Sequence, residues 1–165
     1  MNHAPDWLPP LVLFESFDGN WDRYLIAIYS IFQHDFVENS PSFRGKKLAL
    51  KRHPLVEGKE ATFWHLISDG KVEEDRVPDM RRCERIRWPR PIIDIGAEPA
   101  LKVWSNERKG EKRICLWVEE CDYVVILACR KTYLLLWTAY LAQLPHQKRK
   151  LQHEYETFKK AGAAL

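Results

Sequence analysis

Six side chains in this sequence combine reactive chemistry with positions that a sheet can bring together. Lys51 and His53 end one strand-like run, and His65 lies inside a second. Arg130 stands at the corner of a late hairpin, and Thr138 and Tyr140 interrupt the apolar run that follows it. An imidazole titrates near neutral pH, so two of them can divide the work of a general base and a general acid. Cations and hydroxyl donors stabilise charge that builds on phosphoryl oxygens. Together these groups meet the needs of metal-free RNA cleavage, in which the ribose 2′-hydroxyl attacks the adjacent phosphate. One histidine would take the 2′-hydroxyl proton and the other would protonate the leaving 5′-oxygen. No metal or organic cofactor is required.

The elements that must position these groups follow from period and punctuation. The segment DYVVILACRKTYLLLWTAYL (122–141) reads as a β-hairpin whose arms are Tyr123–Arg130 and Tyr133–Leu141. Strict alternation in the second arm places Leu134, Leu136, Thr138 and Tyr140 on one face. Earlier, Lys46–Arg52 and Ala61–Ser68 alternate as two further strands, and Leu101–Ser105 and Lys112–Val118 supply a meander around the turn NERKG. Residues 1–19 hold several prolines without a period and read as an arm. Asn20 is placed to cap a helix over 21–37, whose apolar residues Trp21, Tyr24, Leu25, Ile28, Ile31, Phe32 and Phe36 fall at spacings of three and four. A second helix starts at Pro145 within about 144–161, with Leu151, Tyr155 and Phe158 on one stripe. A short helix is expected after Pro78, and WPRP (88–91) reads as an extended connector. The expected fold is a single α+β domain, residues 1–165. It has an N-terminal helix, a curved and mainly antiparallel sheet of five to six strands, and a C-terminal helix, with the helices on one face of the sheet.

Composition narrows the setting. A formal charge of +3 in 165 residues is too small an excess to predict binding dominated by phosphate contacts across the whole surface. No window is long and apolar enough for a membrane helix, and MNHAPDWLPP lacks the basic-then-apolar order of a signal peptide, so the expected compartment is the cytoplasm. The cysteines Cys83, Cys115, Cys121 and Cys129 show no CxxC or zinc-ligand spacing and read as core thiols. The cluster Arg81, Arg82, Arg85, Arg87 and Arg90 is a local basic patch. Within it Arg85 is a candidate phosphate contact, and neighbouring Trp88 is a candidate to stack on a base.

The runs KLALKRHPLVEGKEATFWHLISDG and RICLWVEECDYVVILACRKTYLLLWTAYL resemble the barnase–EndoU–colicin–RelE group of nuclease folds, in particular its phage-associated and toxin-like members. The resemblance covers about residues 45–141 and rests on layout. It implies a metal-independent endoribonuclease whose active residues lie on the concave sheet face. Carried onto this sequence, it makes His65 and His53 the acid–base candidates, with Lys51 and Arg130 binding phosphate and Thr138 or Tyr140 orienting it. It also implies an RNA substrate and a cognate inhibitor protein. The late strands carry no histidine, and no barnase-like Glu–Arg–His trio is assigned.

A second reading stays open: a binding module without chemistry, in which Trp64, Trp104, Trp117 and Trp137 serve as core or interface anchors. Each polar residue also has a plain structural reading, His65 as a half-buried, hydrogen-bonded imidazole and Arg130 as a hairpin-end charge. The direction in which His65 points discriminates between the two.

Overall fold

Helix α1 (Trp21–Phe32) begins where Asn20 Oδ1 accepts the backbone N–H of Arg23 at 3.1 Å, the N-cap geometry expected of that residue. Its buried residues Tyr24, Leu25, Ile28 and Phe32 recur at helical spacing, and a π-helical turn over Gln33–Glu38 adds Phe36 to the same face. The computed structural model that shows this describes residues 3–165, the side chain of Glu73 excepted.

After α1 come the short strands β1 (Ser42–Phe43) and β2 (Lys46–Ala49), then helix α2 (Ala61–Ile67). A two-stranded ribbon, β3 (Ser68–Asp69) with β4 (Val77–Pro78), leads into α3 (Met80–Glu84) and α4 (Pro89–Ile95). The rest is β5 (Lys102–Arg108), β6 (Glu111–Val118), β7 (Tyr123–Cys129), β8 (Leu134–Leu141) and α5 (Pro145–Ala161). The main sheet runs β1-β2-β8-β7-β6-β5. All its pairs are antiparallel except β2–β8, where Leu48 and Ala49 lie beside Leu134 and Leu135 in parallel. The expected α+β class, with its N-terminal helix, curved sheet and C-terminal helix, is the observed one.

Side-chain alternation divides the sheet into two faces. Leu116, Val118, Val125, Leu127, Leu134 and Leu136 join α1, α2 and α4 in the main core. Trp104, Cys115, Trp117, Val124 and Ile126 form a smaller cluster under Leu151 of α5. Each large apolar side chain fully buried in either cluster contributes about 1.5–3 kcal/mol. The helices therefore lie on both faces and not on one, because α5 carries its own apolar stripe and the sheet's second face is too aromatic to leave to water.

Three local expectations are corrected. Ala61–Ile67 is a helix and not a strand. Its buried positions Thr62, Phe63, Leu66 and Ile67 follow the i, i+3, i+4 pattern, which a short apolar run shares with an alternating one. WPRP is not an extended connector. Trp88 closes one turn and Pro89 opens α4 at its first position, where no amide hydrogen is needed. The turn expected over NERKG is confined to Lys109–Gly110, both at positive φ, so β5 runs on through Asn106 and Arg108.

The fourth correction bears on the site. Leu134, Leu136, Thr138 and Tyr140 do not share a face. The register passes from Leu127↔Leu136 to Ile126↔Thr138, leaving Trp137 as an extra residue in β8. A bulge of this kind shifts the alternation by one. Leu134, Leu136 and Ala139 consequently face the main core, while Trp137 and Tyr140 pack with the second cluster.

Candidate functional site

The bulge in β8 opens onto a groove of about 680 Å³ on the second face of the sheet. Its floor is Cys115, Ile126, Trp137, Thr138 and Tyr140. Asn106, Arg108 and Arg113 rise from β5 and β6 at one end. One wall is α5, through Gln147, Lys150, Leu151 and Glu154. The other is the end of α2 and the turn into α3, through His65, Asp69, Arg76, Asp79, Arg81 and Arg82.

His65 stands on the last turn of α2 with its ring 5.9 Å from that of Trp137. The backbone beneath it is held by two guanidiniums. Arg82 donates from Nη1 to the carbonyls of Ser68 (2.6 Å) and His65 (3.4 Å), and Arg76 donates from Nη2 to the same two (2.8 and 3.4 Å). Carbonyls at the end of a helix lack intrahelical partners and carry its negative pole, so cations gather there. Arg82 is also aimed across the groove. Nη1 lies 3.4 Å from Thr138 Oγ1, Nη2 lies 3.4 Å from Asp69 Oδ1, and the guanidinium carbon lies 5.9 Å from the centre of the Tyr140 ring. The turn that delivers it is fixed by Asp79 Oδ1, which accepts the N–H groups of Arg81 and Arg82.

Across the floor, Arg113 stacks over Trp137 at 5.0 Å and pairs with Glu111 at 3.5 Å. Glu154 anchors α5 by accepting from Trp104 Nε1, Asn106 Nδ2 and Arg108 Nη2. Six cations line the groove against three carboxylates, so a bound anion meets a net positive wall. Burial raises the pKa of Tyr140, with the neighbouring Cys115 adding in the same direction, and this keeps its hydroxyl a donor. Among the described residues no three His, Cys, Asp or Glu side chains converge as a metal centre requires.

Of the catalytic and phosphate-binding candidates read from the sequence, His65, Thr138 and Tyr140 meet in this groove, where Arg81 and Arg82 of the basic cluster and Trp137 join them. Lys51, His53, Arg130, Arg85 and Trp88 do not. Lys51 and His53 are exposed on the segment before α2, outside the groove lining. Arg130 sits at the hairpin end, donating to the Cys129 carbonyl and lying 3.5 Å from Glu111. Arg85 stacks over Trp88 at 5.1 Å and donates to the Arg81 carbonyl. Trp88 is only 4% exposed and donates to the Pro9 carbonyl, which leaves no face of it for a base. Arg76, Arg108 and Arg113 were not singled out. The available signal for Arg108 was polar residues recurring at alternate positions of a strand, as Asn106 and Arg108 do; Tyr140 takes the groove side only through the bulge.

No protein-family model, no curated protein and no solved structure matches this chain. No described helix is long and apolar enough to cross a membrane.

Proposed function

We propose that the groove binds RNA and cleaves it by metal-independent 2′-hydroxyl transesterification. The observation that carries this reading is the placement of His65 at the rim of a cationic groove whose floor presents Thr138 and Tyr140 beside Arg82. A phosphodiester lying against Thr138 and Arg82 would have its non-bridging oxygens in reach of a hydroxyl and a guanidinium, donors that strengthen as negative charge grows. His65 then removes the 2′-hydroxyl proton, the 2′-oxygen bonds to phosphorus, and the 5′-oxygen leaves with a proton from solvent. The products are a 2′,3′-cyclic phosphate and a free 5′-hydroxyl. As a toxin-like or phage-associated enzyme it would act in the cytoplasm and be restrained by a cognate inhibitor that covers the groove.

A second reading, RNA binding without cleavage, is favoured by one observation: His53, the second acid–base candidate, lies outside the groove lining. Incubation of total RNA with the purified protein in excess EDTA separates the two. Cleavage to cyclic-phosphate ends, reduced about 10²–10⁴-fold in His65→Ala, is the expected result. Retention of RNA by the wild type on a filter without any cleavage supports the binding module instead.

A further inference from the structure

The segment Arg44–Lys59 carries six Lys or Arg residues against a single carboxylate, Glu57, an excess larger than the +3 of the whole chain. The remainder of the molecule is thus net negative, and its positive charge is concentrated here. Arg44, Lys46, Lys47, Lys51 and Arg52 are all exposed. Their pairing differs from that of the groove. Arg82, Arg108 and Arg113 each have a carboxylate within 3.5 Å. Among the described residues, the side chains of Lys46, Lys47, Lys51 and Arg52 have no such partner.

The strip is also tied to α2, whose end forms one wall of the groove. Leu48 turns into the main core, so Lys47 and Ala49 face the opposite side of the sheet, the side on which the groove lies. Lys51 is tied to the start of α2, its N–H donating to Thr62 Oγ1 at 2.7 Å and its carbonyl accepting the Thr62 N–H at 3.0 Å. From Thr62 to His65 is just under one helical turn, about 4.5 Å of rise. Leu55 and Val56, 51% and 49% exposed, follow directly and offer apolar surface to a base.

From these features we infer that the strip Arg44–Arg52 is a second RNA-binding surface, engaging backbone phosphates of a single strand that continues out of the groove past α2. The inference rests on the reading of the groove as an RNA site. A strand-tracking surface of unpaired cations adds affinity only for ligands long enough to reach it, and each phosphate neutralised steepens the salt dependence.

The test uses fluorescence anisotropy with 2′-O-methyl oligonucleotides, which lack the nucleophile, of about four and about twelve nucleotides. The full chain is compared with a strip variant (Lys46→Gln, Lys47→Gln, Lys51→Gln, Arg52→Gln) and a groove variant (Arg81→Gln, Lys150→Gln). The strip variant is expected to bind the short probe as the wild type does. Its affinity for the long probe falls at least about tenfold at low salt, and its slope of log K against log salt shrinks by about 2–3. Equal binding of the long probe by wild type and strip variant, with equal slopes, overturns the inference. So does sedimentation with phosphatidylserine vesicles in place of RNA, which would assign the strip to a membrane surface. A groove variant that binds both probes normally while the strip variant loses the long one rejects the groove reading alone. Wild-type protein that binds neither probe rejects both.

Discussion

Thr138 concentrates the chemistry of the groove in one small side chain. Its hydroxyl is the group on the floor nearest Arg82, yet it contributes little to packing beyond its methyl. Thr138→Val keeps the branched shape and removes the hydroxyl, so under the proposed function the expected outcome is a fall in RNA cleavage rate of about 10–100-fold with an unchanged melting temperature. Arg82 would be a poorer probe, because it also satisfies the carbonyls at the end of α2. The cysteines give a second prediction at this scale. Burial pushes the thiols of Cys83 and Cys115 up to about 12 and that of Cys121 up to about 11. The thiolate is the reactive form. At pH 8 a thiol reagent should therefore reach at most Cys129 in the folded protein and all four cysteines once it is unfolded.

Elements decide which residues meet. Gly96 ends α4 at φ +53, and a Cβ there would stand 2.8 Å from Phe43 Cε2 and 2.9 Å from the Ile93 carbonyl oxygen. Gly96→Ala should cost about 1–3 kcal/mol in denaturant unfolding, since both the backbone and the neighbouring ring resist. Helix α5 is held at its far end by Glu98, which accepts from Tyr155 and from Lys159 Nζ. The Tyr155 hydrogen bond, with Lys159 assisting, holds the Glu98 carboxyl below the usual carboxylate range. A depressed carboxylate pKa contributes stability above its unfolded value, about 4, and that stability is lost as pH falls through the folded one. Glu98→Gln should lower the melting temperature near neutrality and leave its value at acid pH little changed, so the acid limb of melting temperature against pH flattens.

Long and strongly periodic elements could be read from residue spacing alone: α1 from its apolar stripe, the β7–β8 hairpin from its two apolar arms, α5 from Pro145 onward. Short elements could not. Seven residues from Ala61 to Ile67 satisfy either period, and only their packing against α1 and β8 selects the helix. The site was legible to the same degree. His65, Thr138 and Tyr140 stood out as polar residues in apolar runs, whereas the one-residue register shift that turns Tyr140 off the face of Leu134 and Leu136 and onto the floor is one that no alternation reveals. Arg113 and Arg108 reach the groove through a cross-strand register set by the Lys109–Gly110 turn.

Over the whole molecule, positive charge is gathered on one strip and one groove, while helices and aromatic clusters close the rest of both sheet faces. The parallel pairing of β2 with β8 ties these regions together, joining residue 48 to residue 134 and residue 49 to residue 135. Contacts so distant in sequence form late, because the intervening chain must be ordered before they can close. During synthesis the N-terminal helices would wait, their apolar faces uncovered, until the closing hairpin left the ribosome. All of the groove floor but Cys115 comes from that same hairpin. A chain interrupted anywhere before it could carry the basic strip and His65 but have nothing to assemble them against, so the groove exists only once β8 has been made.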